Sequence, residues 1–309
     1  MTKVVVTGGA GFIGSNLAEA LAKRDYRVTI LDNLSTGKME NIEPLLEEAR
    51  VEFVHGDITD LPLLREVFEG AKYIFHEAAL ARVQRSIDDP VPTNEANITG
   101  SLNVLLAARD NKVSRVIYAS SSSIYGGTPV LPQHEGLMPN PLNPYAVSKM
   151  AAEYYCEIFR DIYGLSTSSL RYFNVYGPKQ DPHSEYGTAV VAFLARVFQN
   201  LPPIIHGDGE QSRDLTFIDD VVQANIKAAE NNAAGVYNIG SSGNYTINKV
   251  AGLILKLTGK EHLKPVYTEP RVGDPRQTMA DVSRAKSFGY EPQYDLEKGL
   301  EQTIARFKL

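Results

Sequence analysis

The chain has 309 residues, 43% of them hydrophobic and 22% charged, with a net charge of −6. That length suits one large or two ordinary domains with ample core, and the mild acidity leaves no basic footprint for nucleic acid. The single cysteine, Cys156, forms no internal disulfide, no Cys/His spacing resembles a zinc site, and the apolar windows are too short to span a membrane, so a metal-free cytoplasmic protein is expected. No targeting leader is expected, since the opening MTKVVVTGG shows no charged-then-apolar pattern.

The first strand, residues 4–6, runs into the turn TGGAGFIG and a helix over 13–23. Gly8, Gly11 and Gly14 stand three apart, a spacing that serves a tight turn, close approach of a pyrophosphate, and close helix–strand packing. The helix start near Phe12 and Ile13 would offer free N–H groups to the phosphates; packing alone also produces such turns. A second strand, 27–31, ends at Asp32, where a carboxylate can hold the ribose hydroxyls of NAD and would repel the 2′-phosphate of NADP. The third strand, 51–55, is followed by Asp57, placed either to reach an adenine or to make an Asx turn.

Further on, a helix over 62–68, a strand over 73–76, a helix over 97–110 and strands over 116–119 and 167–170 continue the alternation. Strands that are apolar almost throughout, alternating with helices, predict an α/β fold: a Rossmann-type doubly wound parallel sheet with both faces covered. Each strand ends in glycine, small or polar residues, so a ligand site is expected along that edge. The serine run 120–123 lies there, as a polar loop or a hydroxyl donor set. In NPYAVSK, Asn143 caps a helix over 145–163 with Pro144 in its first turn, placing Tyr145 and Lys149 on one face. An adjacent ammonium and a cationic nicotinamide would both favour a phenolate base; a half-buried tyrosine beside a solvated lysine is the plainer alternative. Beyond residue 177, Pro and Gly break the chain into short elements, with a strand at 237–239 and a helix at 246–257 assigned to a smaller region and a hairpin at 207–209. The expected organisation is an NAD-binding domain over 1–176, rejoined by about 210–240, and a smaller mixed α/β substrate lobe mainly over 177–309.

The motifs TGGAGFIG, DNLSTG, GDI, HEAAL, SSSSIYG, YAVSK, RYFNVYGPKQDP, GDGEQSRD and RVGD run from Val4 to about Asp281. By these the chain resembles the extended short-chain dehydrogenase/reductases, and within them the nucleotide-sugar 4-epimerases acting on UDP-galactose or UDP-N-acetylglucosamine. The resemblance implies NAD as cofactor, a UDP-sugar substrate, and a homodimer through the helices near 97–110 and 143–163. It implies Tyr145 as general base, Lys149 as its partner on the nicotinamide ribose, and Ser121 on the sugar's 4-oxygen. Phe12, Ile13, Asn33, Ser35, Thr36, Gly37, Ile58, Ala78, Ala79, Asn97, Ser120 and Tyr172 match cofactor contacts. Ser123, Asn174, Ala189, Val190 and His206 match substrate contacts, His206 as pocket wall rather than metal ligand. Arg213 and Arg271 match a diphosphate clamp, although each arginine alone would serve equally as a surface ion-pair partner, and Asp274 matches the carboxylate on the uridine ribose.

Thr278 stands four residues after the RVGD aspartate, where a small side chain admits an N-acetyl group at C2 and a bulky one excludes it. Ala81 replaces a lysine common in galactose epimerases, which implies weaker NAD retention. A 4,6-dehydratase of this fold carries Asp-Glu after the catalytic hydroxyl, where this chain has Ser122-Ser123. UDP-glucuronate 4-epimerase is a harder alternative to separate. A non-catalytic NAD-sensing module typically lacks the tyrosine or its lysine, both present here.

Overall fold

The computed structural model describes residues 1–181, 188–270 and 275–307. The first half alternates strands and helices: β1 (Lys3–Thr7), α1 (Phe12–Ala22), β2 (Arg27–Asp32), β3 (Val51–His55), α2 (Leu61–Val67), β4 (Tyr73–His76), α3 (Val83–Asp88), α4 (Pro90–Asn94), α5 (Ser101–Asp110), β5 (Arg115–Ser121), α6 (Pro144–Tyr163) and β6 (Thr167–Tyr172). The second half holds β7 (Val175–Tyr176), α7 (Ala189–Phe198), β8 (Ile204–His206), β9 (Ser212–Arg213), β10 (Thr216–Phe217), α8 (Ile218–Glu230), β11 (Gly235–Ile239), β12 (Tyr245–Thr246), α9 (Ile247–Leu257), β13 (Val266–Thr268) and α10 (Leu296–Ala305).

Seven of these strands form one parallel sheet in the order β11-β6-β5-β4-β1-β2-β3. The chain winds outward from β1 to β3, then restarts at β4 on the other side of β1. Where the direction reverses, between β1 and β4, the connecting loops part and leave a crevice at the carboxyl ends of the strands. The two-residue period of a strand sends alternate side chains to opposite faces. Val4 and Val6 join Leu17 and Leu21 of α1 and Val221 of α8 in one core, whereas Val5, Ile74 and Tyr118 join Leu64, Leu105 and Phe159 of α2, α5 and α6 in the other. The first core continues into the smaller elements, taking in Leu194 of α7 and Ile254 of α9.

Three local expectations change. The helix expected over 97–110 opens with a π-helical turn, Glu95–Gly100, before α5. There the Asn97 amide reaches back to both the N–H and the carbonyl of Leu80, and Gly100 makes room for Ile58, which a Cβ would meet at 2.6 Å. The strand at 237–239 lies not in the smaller region but in the stretch 210–240 expected to rejoin the first domain: β11 pairs with β6 along its whole length, because α8 packs back on α1 and returns the chain to the sheet edge. Residues 207–209 turn the chain but form no hairpin, since β8 pairs with β13 and β9 with β12.

Candidate active site

The glycine turn is built by close approach. Gly8 adopts φ +68, and a Cβ there would lie 2.6 Å from the backbone of Ala78, the segment following β4. A Cβ on Gly14 would lie 2.2 Å from the Gly8 carbonyl oxygen, so α1 starts directly against the turn. At Gly11, by contrast, a Cβ would meet only that same oxygen at 3.1 Å, so the side facing out of the turn is open. No side chain caps α1, which leaves the N–H groups of Phe12 and Ile13 and the positive end of the helix dipole directed at that space.

Asp32, almost fully buried, accepts the Ala10 N–H on one oxygen (3.0 Å) and the Leu34 N–H on the other (2.8 Å). Burial pushes its carboxyl above the ordinary range, and the two N–H groups pull it back. Each oxygen keeps a lone pair for a further donor. Gly37 keeps that carboxylate reachable, because a Cβ there would sit within 2.9 Å of both oxygens. In the same loop the Ser35 N–H bonds the Asn33 side chain, whose amide donates to Asp57. Asp57 makes the Asx turn, its other oxygen accepting the Thr59 N–H and hydroxyl. An open backbone cradle at a helix start beside a doubly hydrogen-bonded carboxylate fits a dinucleotide such as NAD.

Across the crevice, the Asn143 side chain accepts the Ala146 N–H at 2.9 Å and starts α6, with Pro144 in its first turn. The Tyr145 N–H donates to the Ser86 hydroxyl of α3 at 3.1 Å. Tyr145 is half-buried, and its phenol lies close enough to Ser121 at the end of β5 to feel that hydroxyl. Without a cationic nicotinamide beside it, burial pushes the phenol up and Ser121 pulls it down. Lys149 is buried one turn on; its Nζ donates to the Ala119 carbonyl at 2.8 Å and lies 5.0 Å from the Tyr118 ring centre. Burial brings Lys149 down to about 8, with Glu77 opposing. The Ser121 oxygen also accepts the Ser123 N–H at 3.2 Å, and the Ser123 hydroxyl is buried with no partner.

Facing these, Asn174 at φ +25 donates to the Asp214 carbonyl at 3.0 Å and to the Thr278 hydroxyl at 3.3 Å. Thr278 is thus brought beside Asn174, 104 residues away in sequence. Farther out, His206, Gly207, Asp208, Gln211, Thr268, Pro270 and Arg276 line a cavity of about 570 Å³. His206 shares a 2.9 Å hydrogen bond with Thr268, and Arg276 grips Asp208 with two bonds of 2.9 and 3.0 Å. Arg213 is buried, with Nη1 donating to the Ser212 carbonyl. Arg271 and Asp274 lie outside the described residues.

Several side chains matched to ligands by resemblance also have protein partners. Asn97 bonds Leu80 and the Ser148 hydroxyl. Ser120 donates to Glu153 at 2.7 Å, and the Tyr172 hydroxyl donates to Glu77 at 2.9 Å. Ala78 offers its backbone beside Gly8, Ala79 follows at partial exposure, and Ile58 packs against Gly100. Val190 is fully buried in the core, whereas Ala189 at the start of α7 is partly exposed. Unnoticed in the sequence was the buried pair Glu153–Arg171; the spacing of Glu153 four residues after Lys149 was the one available signal. Among the described residues no three His, Cys, Asp or Glu side chains gather as a metal site, and no helix is long and apolar enough to cross a membrane.

Residues 4–240 match the NAD dependent epimerase/dehydratase family. The chain belongs to that family. Among family relatives, it is 37% identical to the UDP-N-acetylglucosamine 4-epimerase of Methanobrevibacter ruminantium, solved with UDP-N-acetylmuramic acid, at a TM-score of 0.95 over 99% of this chain and 97% of that one. The UDP-glucose 4-epimerase of Thermus thermophilus, solved with NAD, is 35% identical with a TM-score of 0.89, over 99% of this chain and 98% of that one. A UDP-glucuronate 4-epimerase of Thermodesulfobacterium geofontis is 35% identical over 97% of this chain and 94% of its own length. These relatives are isomerases that act on three different UDP-sugars.

Proposed function

We propose that this family member is an NAD-dependent UDP-hexose 4-epimerase that accepts N-acetylated sugars as well as UDP-glucose and UDP-galactose. The observation that carries this reading is the Tyr145 phenol beside Ser121, with the buried Lys149 one turn away and the unpartnered Ser123 hydroxyl alongside. NAD, held by the Gly8–Gly14 turn and Asp32, supplies a reversible acceptor for the hydride of the sugar's C4.

The chain's own residues handle the proton and the sugar. Ser121 hydrogen-bonds the 4-hydroxyl and orients it toward Tyr145, whose oxygen takes the hydroxyl proton as C4 becomes a ketone. The positive charge of Lys149 favours the phenolate that this step needs. Asn174 and Ser123 hold the sugar, and by the resemblance Arg213, Arg271 and Asp274 anchor the nucleotide, so the ketone can present its other face. Tyr145 then returns the proton to the new epimer. Net redox is zero, and the cofactor is not consumed.

The small Thr278 side chain beside Asn174 favours acceptance of an N-acetyl group. No carboxylate stands at Ser122 or Ser123 to drive elimination, which disfavours a 4,6-dehydratase. Homodimerisation finds support in an exposed apolar stripe on α6, Val147, Tyr154, Ile158 and Ile162, flanked by Ile87 and Val91.

The test is incubation with UDP-glucose, UDP-N-acetylglucosamine and UDP-glucuronate, with and without NAD, and separation of 4-epimers by NMR. Turnover of the N-acetyl sugar is expected, abolished by Tyr145→Phe and lost selectively in Thr278→Tyr. Turnover of glucuronate alone, or a 4-keto-6-deoxy product, overturns the reading.

A further inference from the structure

One carboxylate in the crevice is unused by the mechanism above. Glu77 follows β4 and its N–H bonds the Thr7 carbonyl of β1 at 3.1 Å, so it extends the sheet between the glycine turn and the catalytic strand. The β4–β5 register pairs His76 with Tyr118, which sets Glu77 beside Ala119. Ala119 is the residue whose carbonyl receives the Lys149 amine. Adjacent strands lie about 4.8 Å apart, so the backbone of Glu77 adjoins the carbonyl that holds Lys149, and the carboxylate and the ammonium act on each other's charge.

The two oxygens of Glu77 are treated differently. One accepts the Tyr172 hydroxyl, whose oxygen in turn accepts the Asn225 amide at 2.7 Å. This chain of bonds reaches from β4 over β5 to β6 and α8. The other oxygen is buried and has no partner. A buried, half-satisfied carboxylate is costly unless a nearby positive charge compensates it.

We propose that Glu77 is a positioning residue whose half-free carboxylate, held by Tyr172, supplies the counter-charge that keeps the catalytic lysine protonated.

The other groups around Lys149 cannot supply that charge. Burial pushes Cys156 up to about 12 and holds Tyr118 and Tyr172 well above the usual tyrosine range, so all three are neutral at working pH. Burial likewise raises Tyr145, and it drives His76 down to about 3, leaving it neutral as well. Glu153 is already neutralised by Arg171. Glu77 itself is raised to about 7 by burial, with Tyr172 and Lys149 pulling it back, so it is anionic above neutrality. That is the range in which Lys149, at about 8, begins to lose its proton. The sign follows: the anion raises the lysine, and its removal lets the lysine discharge at lower pH.

The inference rests on Tyr145 and Lys149 working together as proposed above, but its test needs no sugar. Protein labelled with ¹³C at lysine Cε is titrated by NMR, the Lys149 resonance being assigned by its loss in Lys149→Met. Glu77→Gln keeps the shape and an acceptor for Tyr172, and its Lys149 midpoint should fall by about 1 unit or more. Glu77→Asp, which holds the charge farther off, should give an intermediate midpoint and carries the test if the glutamine variant does not fold. In the NAD-loaded enzyme the alkaline limb of kcat should move in the same order, with KM little changed. Identical Lys149 midpoints in all three proteins, whatever the activities, overturn the proposal and leave Glu77 as a structural prop for Tyr172.

Discussion

Glu153→Gln probes how the catalytic helix is held against the catalytic strand. The carboxylate is buried on α6 and receives three donors: the Ser120 hydroxyl at 2.7 Å, Arg171 Nε at 3.1 Å, and Arg171 Nη2 in a short contact. The guanidinium, equally buried, spends Nη1 on the Tyr125 hydroxyl at 2.9 Å, and that hydroxyl donates to Asn238 at 2.7 Å. Arg171 cannot shed its proton even without Glu153, because a guanidinium stays charged in a protein interior. Removing the anion therefore strands a buried cation, a loss of about 3–5 kcal/mol. At about 2 °C per kcal/mol for a chain of this size, the melting temperature should fall by about 6–10 °C.

Function should fall with it, for Ser120 adjoins Ser121, and Glu153 lies two turns beyond Tyr145. Loss of the anchor loosens the Tyr145–Ser121 contact, and kcat should drop about tenfold or more in the protein that remains folded. Urea unfolding at a fixed NAD concentration measures the first effect, and epimer formation measures the second. The double variant Glu153→Met/Arg171→Met leaves no stranded charge and should recover most of the lost stability. A loss below about 1 kcal/mol in Glu153→Gln, or a double variant less stable than the single one, would refute the reasoning.

Two further outcomes follow from the same structure. Alanine normally gains about 1 kcal/mol over glycine inside a helix, but Gly14→Ala puts a Cβ 2.2 Å from the Gly8 carbonyl oxygen. The overpacking should win by about 1–3 kcal/mol and weaken NAD binding in calorimetry; a more stable variant contradicts the turn geometry. His76 is buried and neutral, bonded to Thr7 at 2.7 Å and Ser101 at 2.9 Å, and burial lowers it to about 3. A folded value below the unfolded one near 6.5 means its contribution is present above pH 6.5 and fades toward pH 3. Between about pH 6.5 and 4.5 wild type should lose about 2 kcal/mol relative to His76→Gln. Only that difference isolates the group, because the raised carboxyls of Glu77, Asp214 and Asp220 act with the opposite sign in the same window. Parallel curves would show that His76 is not buried neutral.

Local order was legible because it is written in short-range patterns. The alternation of Val4, Val5 and Val6 between two cores, the cap at Asn143 and the glycine spacing before α1 are all set by neighbours within a few residues, and the expected elements appear at those places. The same patterns mark the strand ends as the edge where a ligand is expected. What depends on distant pairing was not legible. Whether a side chain such as Ser120, Asn97 or Tyr172 faces a ligand or a protein partner turns on Glu153, Leu80 and Glu77 arriving from elsewhere in the chain. Burial set the resting charges: in the ligand-free protein desolvation raises the Tyr145 phenol, and the Lys149 amine is turned to a backbone carbonyl. Pattern along the chain determines which backbone forms and which edge binds. Only the tertiary structure decides which polar atoms are spent within the protein and which remain free, because desolvation and long-range hydrogen bonds exist only once the chain has closed on itself.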